Sequence, residues 1–305
     1  MTTDSGPGRA ALEWAAGILD CTDVTAVRGM REGGTPWLLQ AGQRKAVLRT
    51  GGPRYVAQLR VQFATEAAAL EVAAKAGLPV PAVLGHDGDA LLMLLEWLPG
   101  ASHIPAEPDE PRLRGIGAAA ASIHAVDFEP SDVLPLRERP IADMDFAQLR
   151  REHGASRLLM DAEDAVAASR PAGERIAFTH GDLWYGNTLW DATSSGQGTL
   201  SAILDWDAAG AGAAGVDLGS LRCDASICYG LEAADLVLAG WEEQAGHPAS
   251  NVAYWDAVAA LSSPPDMGWV ASTIADQGRP DLNDGQLLTE RRDAFLRQAL
   301  TVLGA

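Results

Sequence analysis

One short motif constrains this chain more than any other stretch of its sequence. Residues 178–187 read F-T-H-G-D-L-W-Y-G-N and contain the pattern H-G-D-x-x-x-x-N. The flanking runs, 176–178 and 188–190, are short and largely apolar, which is typical of strands. The pattern therefore predicts a loop between two strands that presents Asp182 and Asn187.

A second acidic position, Asp205, follows the apolar run 202–204. Phosphoryl transfer needs a carboxylate near the acceptor hydroxyl and oxygen ligands for Mg²⁺. Asp182 would accept the hydroxyl proton, and Asn187 and Asp205 would hold the metal. Each residue alone is more typical of a turn or a helix cap. Together, between strands, they favour a phosphotransferase site.

Composition narrows the class of partner. With 305 residues and 47% hydrophobic content, the chain can bury a substantial core. Its 23 basic and 41 acidic residues give a formal charge of −18, which disfavours nucleic acid and anionic membranes. A small neutral or cationic partner is compatible with that charge.

Processing and redox signals are sparse. The first residues resemble no signal peptide, and no apolar run approaches the roughly 20 residues that span a bilayer. We therefore expect a cytoplasmic protein without membrane association. The cysteines Cys21, Cys223 and Cys228 match neither a redox nor a zinc spacing and are interpreted as free thiols.

The pattern of elements changes near Pro99 and Gly100. Upstream, runs typical of strands at 22–27, 37–40 and 46–49 precede a helix at 59–76 and two further strands at 80–84 and 90–96. This predicts an N-terminal lobe over 1–98, with a five-stranded antiparallel sheet and one helix. The lobe over 99–305 is predicted to be mainly helical, with strands only at 176–178, 188–190 and 201–204.

These motifs resemble the aminoglycoside phosphotransferase and choline kinase superfamily, whose α+β, bilobal fold is similar to that of protein kinases. The resemblance covers about 24–240 and is sharpest at 180–191 and 203–221. It implies that Asp182 is catalytic, that Asn187 and Asp205 bind metal, and that Asp217 is structural. The I-D-W pattern of that family is interrupted here by Leu204.

The resemblance also implies a nucleotide-gripping cation on the third strand, paired with an acidic residue on the next helix. Arg49 and Glu66 match these positions, with Arg replacing the usual Lys. Lys45 and Glu71 are the alternatives, although each is also typical of a solvated surface charge.

Other nucleotide contacts are expected in the same lobe. Gly33, Gly34 and Thr35 would cover the phosphates through backbone N–H groups, although a plain hairpin turn explains the glycines equally well. Glu96 and Leu98 would link the lobes, where backbone groups bind the adenine in the family.

The acceptor side is less defined. Protein kinases have Arg where this chain has Gly181, and no A-P-E run follows, so a small-molecule kinase is favoured over a protein kinase. The candidate acceptor contacts are each as typical of a packed aromatic or a solvated charge, and they are Trp184, Tyr185, Asp224, Glu242, Asp256 and Asp266.

The sequence thus predicts transfer of a γ-phosphoryl group from ATP or GTP, with Mg²⁺, to a small-molecule hydroxyl. A nucleotide-binding pseudokinase with a regulatory or scaffolding role is the alternative, supported by Arg49 in place of Lys. A glycosyltransferase reading of Asp205-Trp206-Asp207 as D-x-D leaves the H-G-D motif unexplained.

Overall fold

The computed structural model describes residues 6–31, 34–191 and 198–305. The chain forms two compact units, Met1–Pro99 and Gly100–Ala305. The division falls one residue after the boundary predicted from the sequence.

The N-terminal unit is an antiparallel sheet in the order β1-β2-β3-β5-β4. Its strands are β1 (Val24–Arg31), β2 (Gly34–Ala41), β3 (Arg44–Thr50), β4 (Val83–Asp87) and β5 (Leu92–Glu96). Its helices are α1 (Arg9–Leu19) and α2 (Val56–Lys75).

Helix α1 corrects the prediction of one helix in this unit. Its apolar residues Ala11, Ala15 and Leu19 recur every four positions, and they pack into the core that Trp37 and Leu39 of β2 line. The prediction did not include this helix, although a four-residue spacing of apolar residues is a helix signal.

The C-terminal unit is mainly helical, as predicted. Its helices are α3 (Glu110–His124), α4 (Phe146–His153), α5 (Arg157–Ala168), α6 (Gly215–Tyr229), α7 (Leu231–Ala245), α8 (Val252–Leu261), α9 (Gly268–Asp276) and α10 (Gly285–Leu303). Short 3₁₀ turns form at Tyr185–Asn187 and Pro280–Leu282.

Two small sheets lie in this unit. One has the order β6-β10-β7, from Leu136–Arg137, Gly210–Ala213 and Ile176–Thr179; the other pairs β8 (Thr188–Trp190) with β9 (Leu200–Ile203). Strands β7, β8 and β9 lie where they were predicted. Strands β6 and β10 were missed because β6 is two residues long and G-A-G-A has little strand propensity.

Helix α6 is the buried centre of the unit. Twelve of its 15 residues are buried, including Asp217. A Cβ on Gly215 would lie 2.0 Å from the Trp255 ring, so α6 and α8 approach closely only because that position is glycine. Burial on all sides removes the helical periodicity that sequence reading relies on, and α6 was not predicted for that reason.

The predicted α+β class, with an antiparallel sheet followed by a helical region, is confirmed. Across the described ranges, none of the helices combines the length and the apolar character needed to cross a bilayer.

Candidate active site

The H-G-D-x-x-x-x-N segment forms a tight loop between β7 and β8. Gly181 has φ +82°, and a Cβ there would lie 2.1 Å from the carbonyl oxygen of Ala208. Both the backbone conformation and the space require glycine. The loop therefore lies against the segment that follows Asp205.

Beneath the loop lies a buried clamp, formed by His124, Asp217 and Trp241. Asp217 accepts the backbone N–H groups of His180 and Gly181, each at 2.8 Å. Its Oδ2 also lies 3.1 Å from His124 Nε2. Burial alone would raise the pKa of Asp217, but the contacts with His124 and His180 outweigh it and lower that pKa.

Trp241 determines the tautomer of His124. Its indole N–H can only donate, and it donates to His124 Nδ1 at 3.0 Å. The imidazole proton therefore resides on Nε2, from which it is donated to Asp217. In the clamp, His124 thus accepts on Nδ1 and donates from Nε2, so its hydrogen bonds complement those of Trp241 and Asp217.

His180 joins the loop to the strand that leads to Asp205. Its Nδ1 accepts the backbone N–H of Asp182 at 3.3 Å, so Nε2 carries the proton and donates to the Leu204 carbonyl at 2.9 Å. Burial lowers the pKa of His180 and keeps the ring neutral. Trp206 packs on this ring at a centroid distance of 4.5 Å.

Asn187 lies directly against Asp182. Its Nδ2 donates to the backbone carbonyl of Asp182 at 2.8 Å and to the carboxylate Oδ2 at 3.2 Å. Since the amide nitrogen is used in these bonds, the Asn187 amide oxygen is oriented away from them. That oxygen is the atom a hard cation would use.

Asp205 is brought beside Asn187 by the β8–β9 pairing. Thr188 faces Ile203, and the Leu204 N–H donates to the Asn187 carbonyl at 2.8 Å. Asp205 itself has φ +62°, a left-handed conformation that non-glycine residues adopt rarely and mostly in turns and functional sites.

Negative charge is concentrated around Asp182. We call Asp182, Asp205, Asp207 and Asp224 the acidic face. Burial raises the pKa of Asp182 well above its usual value, and the other three carboxylates raise it further, against the lowering effect of Asn187. Burial also raises the pKa of Asp224 to about 7. A bound cation would relieve this repulsion.

In the N-terminal unit, Arg49 on β3 forms an ion pair with Glu66 on α2. Glu66 is 1% exposed, and the guanidinium lies 5.4 Å from the Phe63 ring centroid. The alternatives are engaged elsewhere, since Lys45 lies over Trp97 at 4.5 Å and Glu71 pairs with Lys75 at 2.6 Å.

Two of the remaining nucleotide candidates that the structure describes, Gly34 and Thr35, lie on β2, and Glu96 lies on β5. Gly33 lies outside the described residues, and Gly34 is the first residue of β2. The Thr35 hydroxyl accepts the Thr50 N–H at 3.0 Å, so it tethers β2 to the end of β3. Glu96 ends β5, and Leu98 follows in a segment without regular structure.

Three acceptor candidates have structural partners instead. Asp256 forms a two-pronged ion pair with Arg222 at 2.9 and 3.0 Å. The carboxylate of Glu242 accepts the Ala249 N–H, and Asp266 accepts the Gly268 N–H. Of the remaining candidates, Tyr185 and Trp184 lie in the loop itself, and Asp224 is part of the acidic face.

Sequence reasoning missed the roles of His124, His180 and Trp241. His180 belongs to the H-G-D motif, but the motif does not show that its ring connects the Asp182 N–H to the Leu204 carbonyl. No local signal connects His124 and Trp241 to the loop, because they are brought there by the packing of α3 and α7 against α6.

Comparison with known proteins shows which family the chain belongs to. A model described as "Phosphotransferase enzyme family" matches residues 27–261, well over half of the chain. The chain belongs to this family. Membership makes it a phosphotransferase and confirms the resemblance seen in the sequence. No curated protein sequence matches the chain significantly.

Solved structures of phosphotransferases share its fold. Aminoglycoside-3'-phosphotransferase of type VIII is 21% identical, with a TM-score of 0.56 over 82% of this chain and 98% of that one. Macrolide 2'-phosphotransferase MphH from Brachybacterium faecium is 19% identical, with a TM-score of 0.57 over 94% and 97%. Choline kinase LicA from Streptococcus pneumoniae is 17% identical, with a TM-score of 0.57 over 96% of each chain. At these identities the likeness establishes the fold, which is the predicted kinase-like one.

Proposed function

We propose that this phosphotransferase moves the γ-phosphoryl group of ATP or GTP to a hydroxyl of a small molecule, with Asp182 as the base. The observation that carries the proposal is that Asn187 Nδ2 donates both to the backbone carbonyl of Asp182 and to its carboxylate Oδ2. This contact supports separate roles for the two residues, in which Asp182 would face the acceptor and the Asn187 amide oxygen would bind a metal.

Asn187 and Asp205 would hold Mg²⁺. Burial, followed by repulsion from the neighbouring carboxylates, raises the pKa of Asp182, and a divalent cation binds favourably in such a setting. The described part of the chain contains no group of three or more His, Cys, Asp or Glu side chains suited to a metal. This fits Mg²⁺, which takes one or two protein ligands and completes its shell with phosphates and water. The metal would neutralise charge on the transferred phosphoryl group.

Asp182 would orient the acceptor hydroxyl and take its proton. General-base help of this kind is worth about 10² to 10⁴ in rate. The buried clamp supports this role because it fixes the backbone N–H groups of His180 and Gly181 and so positions the next residue.

The N-terminal unit would grip the nucleotide. Arg49, which is paired with the nearly inaccessible Glu66, would donate to phosphate oxygens through its planar guanidinium. Gly34 and Thr35, with Gly33, would lie over the phosphates, and the backbone near Glu96 and Leu98 would bind the base.

The test is transfer from γ-labelled ATP, and separately GTP, to aminoglycosides, macrolides, sugars and amino alcohols with Mg²⁺ present. We expect transfer to at least one acceptor that disappears in Asp182→Ala. If wild type and variant are equally silent and neither nucleotide binds, the phosphoryl-transfer proposal is wrong. Nucleotide binding without turnover would favour the pseudokinase.

A further inference from the structure

The C-terminal unit buries several arginines, and one of them differs from the rest. Five buried guanidinium groups pair with a carboxylate and also donate to a backbone carbonyl. These pairs are Arg137–Asp143, Arg150–Glu163, Arg222–Asp256, Arg279–Asp281 and Arg292–Asp293. Arg112 is buried to the same degree, at 9% exposure, without such a pair among the described residues.

One hydrogen-bond donor of Arg112 is buried without a partner among the described residues. Its Nε is inaccessible to solvent and has no partner in the described ranges. Asp109 lies close enough to raise the pKa of Arg112, but its carboxylate accepts Arg112's own backbone N–H at 3.2 Å as a helix cap. Burial lowers that pKa more than Asp109 and the nearby tyrosines raise it.

The indole ring of Trp190 lies next to the Arg112 guanidinium. Arg112 lies 4.5 Å over the Trp190 ring. The Trp190 indole N–H donates to Thr188 Oγ1 at 2.8 Å, and that hydroxyl donates to the Tyr185 carbonyl at 2.7 Å. Stacking uses the face of a guanidinium and leaves the N–H groups on its edge available for a planar anion.

The position of Arg112 is next to the catalytic loop. Arg112 is connected through Trp190 and Thr188 to Tyr185, three residues after Asp182. Tyr185 and Tyr229, the last residue of α6, both influence the pKa of Arg112. The two tyrosine rings meet edge to face at 6.2 Å. A ligand group bound by Arg112 would therefore lie beside the loop that carries the catalytic aspartate.

A buried donor without a partner costs free energy, so native structures retain few of them, and each calls for an acceptor such as a ligand, an ion or a water. Resting on the function proposed above, we propose that Arg112 binds a carboxylate of the phosphoryl acceptor, so that the acceptor is a small hydroxy acid. A carboxylate matches the flat, forked edge of the guanidinium, with two parallel hydrogen bonds.

The test uses acceptor pairs that differ in one carboxylate: glycerate and glycerol, serine and ethanolamine, homoserine and 3-aminopropanol. Transfer from labelled MgATP and calorimetric binding are measured for each. We expect the acid of at least one pair to be preferred by about 10- to 100-fold in kcat/KM, the loss typical of one charge-assisted contact. Failure of every acid to bind or react, or a preference for the uncharged or amine member, overturns the inference.

Variants tie the preference to the residue. Arg112→Met should abolish the acid preference while leaving kcat/KM for the carboxylate-free member within about threefold. Arg114→Met on the same helix removes an exposed arginine paired with Glu110 and should change neither. If Arg112 were only structural, Arg112→Met would lower kcat/KM equally for the acid and for the carboxylate-free member of a pair. A preference for the acid that persists in Arg112→Met would therefore contradict the inference.

Two further readouts keep the outcomes distinct. Melting temperatures establish that Arg112→Met is folded, and if it is not, Arg112→Lys should show an intermediate preference because it keeps charge but not the fork. If a carboxylate-free alcohol is phosphorylated well and no acid is, the hydroxy-acid inference fails while the phosphotransferase function stands. If no nucleotide binds, the proposed function itself fails.

Discussion

The buried clamp and the acidic face both adjoin one loop, but the carboxylates in the two regions have opposite pKa shifts. Asp217 receives three donors and has a lowered pKa. Asp182 receives one side-chain donor, is surrounded by other carboxylates and has a strongly raised pKa. Similar burial therefore produces a stable ion in one region and a poorly stabilised one in the other.

The opposite pKa shifts distinguish a structural carboxylate, Asp217, from the proposed reactive one, Asp182. A satisfied buried carboxylate resists change, whereas a destabilised one gains from a cation, a proton or a substrate. The free energy that the acidic face costs the fold is offset by the clamp and by the packing of α6.

The largest expected effect is on Asp182. Asp182→Asn should lower the rate of phosphoryl transfer by about 10² to 10⁴ because the base is lost. The melting temperature should stay level or rise, because one repelling charge has gone. Single-turnover kinetics measure the loss of transfer, and thermal unfolding measures the melting temperature. A variant that loses both activity and stability would contradict the contrast between Asp182 and Asp217.

Substitution of Asp217 should mainly affect stability. Asp217→Ala leaves the N–H groups of His180 and Gly181 without an acceptor and should lower the free energy of unfolding by about 3 kcal/mol or more. Asp217→Asn, which keeps one oxygen acceptor, should lose less. Urea unfolding measures both, and a loss below about 1 kcal/mol for Asp217→Ala would refute the clamp.

A third position tests whether nucleotide binding is separate from both regions. Arg49→Met should raise the KM for nucleotide by about tenfold, equivalent to about 1.4 kcal/mol, with the KM for the acceptor little changed. Arg49→Lys should retain most of the affinity. Steady-state kinetics measure the KM for nucleotide and for acceptor in each variant. Equal increases in both KM values would contradict the assignment of Arg49 to nucleotide binding. Lys45→Met is the matched control on the same strand.

The smallest effect concerns pH. The folded-state pKa of Asp224, about 7, lies above its ordinary 3.8, so its contribution to stability is complete below pH 3.8 and is lost as pH rises through 7. Asp224→Asn removes this dependence. Its melting temperature relative to wild type should therefore rise by a few degrees between pH 5 and pH 8, and a constant difference would speak against a buried, ionisable Asp224.

Much of the fold was readable from the sequence because its strands and surface helices carry periodic patterns. The motif around Asp182 and the order of strands and helix before Pro99 predicted the kinase-like class that the family match confirms. The pairing of Arg49 with Glu66 was also anticipated, because the family resemblance implies a cation on the third strand paired with an acidic residue on the next helix.

The remaining features depend on packing. Helix α6 is buried on every side and lacks a periodic stripe, and β10 consists of glycine and alanine. His124 and Trp241 are far from the motif in sequence and reach Asp217 only through the packing of three helices. The isolation of Arg112 is likewise invisible in sequence, because it is defined by the partners it lacks among the described residues.

The most direct test of the central claim separates the base from the metal ligands. Calorimetry would compare MgATP binding to wild type, Asp182→Asn and Asp205→Asn, alongside transfer to whichever acceptor the wild type uses. The account predicts that Asp182→Asn binds MgATP within about threefold of wild type yet transfers almost nothing, whereas Asp205→Asn loses the magnesium-dependent part of binding. Transfer retained by Asp182→Asn, or MgATP binding lost in it, would contradict the assignment of Asp182 as the base.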